Sequence, residues 1–229
     1  MNLTSEKTAI KQPLGITAYE KIRRKIITLN LKPGEKLEEK QLMRHLKLGR
    51  TPIREALLRL VGERLLDSQH GKGFMVRQIT LQNTKAVFEM MKILETGAAG
   101  LAVRQDTTAL LPKIEEAGEE VKKAVKTMDT LGLVHANHDF HLYFAQCAHN
   151  EYILRWVDET RNEAKRLSYL SFTNEIDSGK SLKTHFKAVT QEHDKIIACL
   201  KERNEDELKK TILVHIKAFQ QRIIAYMSS

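Results

Sequence analysis

Hydrophobic residues recur at helical spacing along most of this 229-residue chain. In the first third, this spacing predicts three helices, over 18–29, 38–46 and 50–66. A Pro-Gly turn at 33–34 ends the first helix, and the glycine-containing segment 47–49 connects the second to the third. Two helices joined by a turn this short are typical of a helix-turn-helix.

Two short strands are predicted within 65–79, on either side of a tight "HGKG" turn. From residue 80 onward the pattern is helical, with polar breaks between six candidate helices: 81–104, 107–128, 130–148, 150–173, 178–201 and 204–227. Helices of these lengths form an antiparallel bundle of about 150 residues. The fold class is therefore mainly α: an N-terminal winged helix-turn-helix followed by an antiparallel bundle of six or seven helices.

These patterns predict three parts: a polar leader over 1–14, a winged helix-turn-helix domain over 15–78 and an all-α domain over 82–227. The charge is divided unevenly between them. Residues 1–78 hold 17 Lys and Arg against 8 Asp and Glu, whereas the remainder holds 21 of each, so the whole net charge of +9 lies in the first third. This excess points to a polyanionic partner for that part, which on charge alone could be DNA, RNA or an anionic membrane.

The remaining composition narrows the class of protein. The sequence has no run of 18 apolar residues and no signal-peptide pattern, so we expect a cytoplasmic protein without a membrane partner. Two cysteines, Cys147 and Cys199, sit within apolar helical patterns, and we expect both to be buried thiols.

The start of the third helix carries the candidate nucleic-acid chemistry. Thr51 is predicted to be its N-cap and Pro52 its first helical residue. Arg50 and Arg54 then face outward near the helix N-terminus, where a helix-turn-helix presents side chains to base edges in the major groove. Lys72 lies at the tip of the predicted wing, which suits a phosphate contact. We therefore predict a double-stranded DNA-binding domain.

The segments "PGEKLEEKQL", "GRTPIREALLRL" and "HGKGFMV" resemble the winged-helix domain of the GntR family of bacterial transcription regulators. The resemblance implies operator DNA as a partner, contacted by Lys40, Arg50, Thr51, Arg54, His70, Gly71 and Lys72. Arg50 and Arg54 are the predicted guanine-reading residues, and the others are predicted to contact phosphates. The chain departs from the family at Gly49, where a small hydroxyl residue is common.

Three histidines in the C-terminal part, His141, His193 and His215, each lie within an apolar helical stripe. A single histidine in such a stripe is usually a hydrogen-bonded core residue. Three on separate helices of one bundle favour a divalent metal, since several unpaired buried imidazoles are unfavourable. His138 and Asp139 are predicted to lie on the solvated face.

The segments "NHDFHLYFAQCAHN", "QEHDKIIACL" and "LVHIKAF" resemble the FCD ligand-binding domain that follows the winged helix in the FadR subfamily of GntR regulators. This resemblance implies a divalent transition metal (Zn, Ni or Mn) held by Asn137, His141, His193 and His215. Aspartate is common at the position of Asn137. Its replacement by a neutral amide predicts weaker metal binding, or a stronger dependence on an anionic effector.

The same resemblance implies a homodimeric regulator, by default a repressor acting at the nucleoid, whose DNA binding responds to a small-molecule effector. Family members often carry an arginine that clamps a carboxylate where this chain has Met91, so a carboxylate effector is less strongly implied. Arg161 is a candidate replacement, although an arginine at such a position is more often solvated on the surface. The alternatives are a metal-dependent hydrolase using the three histidines and an architectural DNA-binding protein with a structural metal.

Overall fold

The structure is a computed structural model that describes residues 13–69, 73–174 and 181–228. The chain divides into two compact units, Met1–Gln78 and Ile79–Ser229, which are described separately below. None of the helices in the described ranges is both long enough and apolar enough to cross a membrane.

Three helices and a three-stranded antiparallel sheet make up the described part of the N-terminal unit. Its elements in chain order are α1 (Leu14–Ile27), β1 (Lys36–Leu37), α2 (Glu39–Leu46), α3 (Arg50–Gly62), β2 (Leu66–Gln69) and β3 (Gly73–Val76). The strand order is β1-β3-β2. The apolar faces of the helices meet one face of the sheet around a core that includes Ile22, Ile53, Leu57 and Val76, each essentially inaccessible to solvent. This arrangement is the expected winged helix-turn-helix.

Strand β1 was not predicted, because its residues follow the Pro-Gly turn and form only a two-residue pairing. Gly34 adopts a left-handed conformation (φ 82°), which is easily accessible to glycine. Its N–H donates to the carbonyl of Val76 at 2.8 Å, and the N–H of Val76 donates to the carbonyl of Glu35 at the same distance. The turn after α1 is therefore hydrogen-bonded to the end of β3, the central strand of the sheet.

Helix α3 begins at Arg50, the first residue of the predicted range 50–66, but ends four residues earlier than predicted, at Gly62. Gly49 occupies the N-cap position, and Arg50 is the first helical residue. The prediction that Thr51 is the N-cap is therefore wrong: Thr51 lies inside the first turn. The helix ends at Gly62 because the chain turns at Arg64, whose φ is 56°, and enters β2 two residues later.

The C-terminal unit contains six helices within the described ranges. They are α4 (Leu81–Ala102), α5 (Leu111–Thr127), α6 (Thr130–Gln146), α7 (Glu151–Thr173), α8 (Leu182–Lys201) and α9 (Glu205–Ser228). Several begin at side-chain caps: the side chains of Thr80, Asp129 and Asn150 accept hydrogen bonds from backbone N–H groups of the first turns of α4, α6 and α7. The predicted helical bundle is thus confirmed.

Helix α6 lies in the interior of this bundle and packs against α4, α5 and α7. Its aromatic residues Phe140 and Phe144 are almost fully buried. Cys147, just beyond its end, and Cys199 are buried free thiols, as predicted. Because α6 is covered on several sides, polar residues on it are forced to find partners inside the bundle.

Candidate functional site

The exposed end of the helix-turn-helix presents two arginines held by one acid. The side chains of Arg50 and Arg54 are 72% and 54% exposed. Glu39, at the start of α2, accepts contacts from both: its carboxylate oxygens lie 3.5 Å from Nε of Arg50 and 3.2 Å from Nη1 of Arg54. The acid brings both guanidinium groups to one place and leaves their other N–H groups facing solvent.

The remaining predicted DNA-contacting residues divide into two groups. Lys40 and Thr51 are exposed, on α2 and α3 respectively. His70, Gly71 and Lys72, predicted at the tip of the wing, lie outside the described residues. The structure therefore brings together the helical half of the predicted DNA surface, centred on Arg50 and Arg54.

A second candidate site lies inside the bundle, where three helices bring their histidines together. His141 on α6, His193 on α8 and His215 on α9 are all buried, and one nitrogen of each lies within 4.8 Å of one nitrogen of the other two. The ring of His193 is stacked on that of Phe140, with centroids 4.0 Å apart. This packing fixes the direction of the His193 ring without using its nitrogen atoms.

Several imidazole nitrogens in this cluster have no protein partner. Nε2 of His141 and both nitrogens of His193 are buried and make no hydrogen bond. Buried polar atoms in native proteins are nearly always paired, so nitrogens left unpaired by the protein and converging from separate helices suit a bound ion or water. Imidazole nitrogen is a preferred ligand of zinc and related transition metals, so the donor set fits such an ion.

The other ring nitrogens of His215 and His141 face carboxylates. Nδ1 of His215 lies 2.7 Å from Oε2 of Glu192, and Nδ1 of His141 lies 3.1 Å from Oε2 of Glu95. A carboxylate at Nδ1 favours the tautomer in which Nε2 carries a lone pair. Metal-binding histidines commonly have a partner of this kind.

Burial keeps the imidazoles of His141 and His193 neutral. Burial and the charge of Arg161, opposed by Glu95, lower the pKa of His141 to about 3. Burial also holds the pKa of His193 well below its usual value, and the neighbouring histidines add to the effect. A neutral imidazole, unlike a protonated one, can offer a lone pair to a metal.

Arg161 is buried, although an arginine at such a position in a helix is more often solvated on the surface. It is only 4% exposed, and its Nε and Nη2 donate to the two carboxylate oxygens of Glu95 at 2.7 Å each. Although burial opposes ionisation of Glu95, Arg161 and His141 outweigh it and hold the pKa of Glu95 well below the usual range. Met91, on the same helix as Glu95, is buried at 1% exposure.

A cavity lies beside the histidine cluster. Asn137, the predicted fourth ligand, lines it together with Arg161, Glu192 and His215, and Phe172 and Phe219 contribute apolar walls. About 30 Å³ of it is open to the centres of water molecules, which is room for more than one water or for a small ligand group. Of the three clustered histidines, His215 lines the cavity, whereas His141 and His193, whose nitrogen atoms lack partners, do not.

His138 corrects another expectation. It was predicted to lie on the solvated face of α6, but it is 7% exposed and its Nε2 lies 3.1 Å from Oδ1 of Asp158 on α7. The reason is that α6 is covered over a wide arc, so a residue 60° away from His141 around the helix is also interior. Asp139 is exposed, as predicted.

Sequence reasoning missed three acids that hold the functional side chains. Glu95 had a detectable signal, because it lies in an apolar stripe of α4 with Met91 and Ala98, and a buried acid there requires a cationic partner. Glu39 and Glu192 had none, since each is one of several charged residues in a polar stretch of sequence. Their roles depend on which helix packs opposite.

Comparison with known families agrees with this architecture. Residues 15–76 match the model for bacterial regulatory proteins of the GntR family, and residues 86–218 match the model for the FCD domain. The chain belongs to the GntR family of DNA-binding transcriptional regulators and carries an FCD domain. Members of this family are regulators rather than enzymes, and the hydrolase and architectural alternatives find no support here.

Individual relatives extend over most of the chain. It is 24% identical over 205 residues to an uncharacterized HTH-type transcriptional regulator, YdhC, of Bacillus subtilis, covering 89% of this chain and 88% of that one. It is 28% identical over 205 residues to the Nta operon transcriptional regulator of Aminobacter aminovorans, covering 86% and 89%. The solved structure of E. coli McbR/YncC matches with a TM-score of 0.75 at 20% identity, covering 95% of this chain and 99% of that one, which supports the fold.

Proposed function

We propose that this regulator binds operator DNA through α2, α3 and the wing. We further propose that a small-molecule effector, bound at a metal centre inside the bundle, changes the affinity for operator DNA. The observation that carries the proposal is the set of unpaired, buried nitrogens of His141 and His193, which cluster with His215, a residue that lines a cavity. The DNA-binding function follows from the family.

In the DNA complex, Arg50 and Arg54 read guanine edges, and Lys40 and Thr51 contact phosphates. The exposure of both arginines and their convergence on Glu39 support this assignment. Bidentate hydrogen bonds from arginine to O6 and N7 of guanine are the commonest specific contact in the major groove. His70, Gly71 and Lys72 of the wing are assigned to the adjacent backbone by the family resemblance alone.

In the bundle, His141, His193 and His215 hold a divalent transition metal (Zn, Ni or Mn), and the amide oxygen of Asn137 completes the set. The ion supplies a Lewis-acidic position to which an effector can bind. Imidazole and amide groups coordinate as neutral ligands, so they would leave the charge of the ion uncompensated. Glu95 is already neutralised by Arg161, which leaves Glu192 as the nearest acid lining the cavity.

The effector that suits this charge balance is a small anion, and we propose a carboxylate. Arg161 is already paired with Glu95, so the attraction comes from the ion rather than from a free guanidinium. A panel of small carboxylates and their neutral amides, added to zinc-loaded protein, tests this point by thermal shift. Carboxylates should raise the melting temperature more than their amides, and equal shifts would refute the charge argument.

The protein acts as a homodimer, as GntR regulators typically do. Helix α4 carries an exposed stripe of small and apolar residues at helical spacing: Ala86, Met90, Ile93 and Gly97. Ile93 is 66% exposed, so a second copy of the same stripe would remove a substantial apolar surface from water. We assign the dimer contact to this stripe.

The dimer assignment is tested by Ile93→Glu. We expect the variant to be monomeric by sedimentation at concentrations where the wild type is dimeric. Val214→Glu, at an apolar position on α9 that is 52% exposed, is the matched control and should remain dimeric. If instead Val214→Glu were monomeric and Ile93→Glu dimeric, the dimer interface would lie on α9 and not on α4.

Regulation then follows from geometry. Two copies of α3 occupy half-sites about one helical turn apart. An effector that binds one arrangement of the dimer better than the other shifts the population towards that arrangement. We propose repression relieved by effector, acting at the nucleoid in the cytoplasm. Transcription in vitro from an operator-bearing promoter should fall on adding the protein, whereas a rise would make it an activator.

The metal itself is tested by elemental analysis of protein purified without a histidine tag. We expect about one transition metal per chain. The double variant His193→Ala, His215→Ala should lose the metal and the effector response while still binding operator DNA. Metal-free wild type that responds equally to effector would refute a role for the ion.

A further inference from the structure

One ring nitrogen of His141 lies between two groups with opposite demands. Nδ1 is 2.8 Å from Nη2 of Arg161, which can only donate a hydrogen bond, and 3.1 Å from Oε2 of Glu95, which as a carboxylate can only accept one. A neutral imidazole carries one proton, so Nδ1 can satisfy only one of these groups at a time. The two tautomers of His141 are therefore in direct competition.

The tautomers differ in what they offer a metal. With its proton on Nδ1, donated to Glu95, His141 presents a lone pair at the buried Nε2, which has no protein partner. With its proton on Nε2, His141 accepts from Arg161 at Nδ1 and offers the ion nothing. Only the first tautomer can bind a metal through the nitrogen that faces the cluster.

We propose that Glu95 and Arg161 form a tautomer switch for His141, in which Arg161 holds the metal-free form and Glu95 holds the metal-binding form. This inference rests on the proposed metal centre. The shorter contact, to Arg161, assigns the Nε2–H tautomer to the metal-free protein. For Nε2 to bind an ion, it would have to lose its proton while Nδ1 gains one and donates it to Glu95, so the ring would remain neutral in both forms.

The other ligands set this arrangement apart. Nδ1 of His215 faces the carboxylate of Glu192, whereas neither nitrogen of His193 has a hydrogen-bond partner and its ring is stacked on Phe140. Only at His141 is the supporting acid itself clamped by an arginine, with both of its oxygens engaged at 2.7 Å. Arg161 and Glu95 are therefore positioning residues with opposite effects on metal binding.

Two charge-conserving variants separate this proposal from simple structural support. Glu95→Asp withdraws the carboxylate by one methylene and should weaken Zn²⁺ binding by about 10-fold or more, the usual effect of losing a partner of a metal ligand. Arg161→Lys keeps the charge beside Glu95 but removes the planar donor from Nδ1, and it should tighten Zn²⁺ binding by about 3-fold or more. If the pair served only to support the fold, both variants would weaken binding.

The measurement is competition for Zn²⁺ between the protein and a chromophoric chelator. Asp158→Glu is the matched control, because it alters a histidine–carboxylate pair outside the cluster, that of His138, without changing charge. It should leave the affinity unchanged. Weakening by Arg161→Lys, or no effect of Glu95→Asp, overturns the switch. If the wild type itself binds no Zn²⁺, the result refutes the proposed metal centre on which the switch rests.

A second measurement needs no variant and applies even where a variant does not fold. Two-bond proton–nitrogen correlation spectra of histidine-labelled wild type distinguish the two neutral tautomers. His141 should be Nε2–H in metal-free protein and Nδ1–H after Zn²⁺ is added. The Nδ1–H form in both states would overturn the proposal.

Discussion

The two units each contain a cluster of arginine and glutamate, and the clusters differ in exposure. In the N-terminal unit, Glu39 contacts Arg50 and Arg54, whose side chains are 72% and 54% exposed. In the bundle, Glu95 and Arg161 are 1% and 4% exposed and form two hydrogen bonds of 2.7 Å. Guanidinium and carboxylate groups are therefore paired in contact with solvent in the N-terminal unit and in the solvent-excluded interior of the bundle in the C-terminal unit.

This difference determines what each cluster can do. An exposed ion pair contributes little to stability, because water and salt screen it, so its arginines can exchange Glu39 for DNA at small cost. A buried pair cannot be opened without leaving a charge in the interior. The first cluster is suited to binding a partner, whereas the second is suited to holding a ligand in a fixed geometry.

The largest expected effect is acid unfolding of the bundle. The pKa of His141 is lowered to about 3 by burial and Arg161, and that of His185 is lowered to about 3 by burial and Arg222. An unfolded histidine takes up its proton near pH 6.5, whereas these stay neutral in the folded protein. Stability is therefore fully present above pH 6.5 and is lost as pH falls towards 3, by about 1.4 kcal/mol per pH unit for each such group.

The same sign applies to Glu95, whose lowered pKa makes its contribution present above its ordinary pKa and lost below it. The single tryptophan, Trp156, lies in the bundle, so its fluorescence during urea unfolding reports on this unit. Metal-free protein should need clearly less urea at pH 5 than at pH 7. An equal midpoint at both values would contradict the burial of neutral histidines.

The next largest effect is the loss of stability on breaking the buried ion pair between Glu95 and Arg161. Glu95→Ala leaves the charge of Arg161 without its partner and should lower the free energy of unfolding by about 3–5 kcal/mol. Glu39→Ala, in the exposed cluster, should change it by no more than about 0.5 kcal/mol. Urea unfolding followed by circular dichroism compares the two, and similar losses would show that exposure does not separate the clusters.

A smaller effect is expected on the binding side of the comparison. Arg54→Ala should weaken specific operator binding by about 1–3 kcal/mol and relax the sequence preference. Fluorescence anisotropy with operator and random duplexes at one salt concentration measures both changes. An unchanged ratio between the two duplexes would remove Arg54 from base readout.

How far the sequence predicts these clusters depends on the range of the contacts. The helices follow from apolar periodicity, and the histidine stripes point inward on each helix taken alone, as for His193 on α8 and His215 on α9. The exposed positions of Arg50 and Arg54 follow from the same reasoning. Each of these properties is set within one helix and is visible in the local spacing of residues.

The partners of these side chains could not be predicted in the same way. Arg161 and Glu95 are 66 positions apart in the sequence, and their pairing depends on how α4 packs against α7. His138 was misplaced for the same reason, because its burial depends on the helices that surround α6. Strand β1 was missed because two residues are too few to show a period.

The smallest effect tests whether Glu39 guides the arginines it contacts. Glu39→Gln removes a negative charge from the DNA-facing surface, so affinity for random DNA should rise slightly. Because Arg50 and Arg54 then lose their common partner, operator affinity should rise less, and the specificity ratio should fall by about 2- to 5-fold. Glu38→Gln, at the exposed neighbouring acid just before α2, controls for charge alone and should raise both affinities equally. If both variants change the two affinities in the same proportion, Glu39 acts only through its charge. Glu39 would then not orient Arg50 and Arg54, in contrast to the positioning of His141 by Glu95.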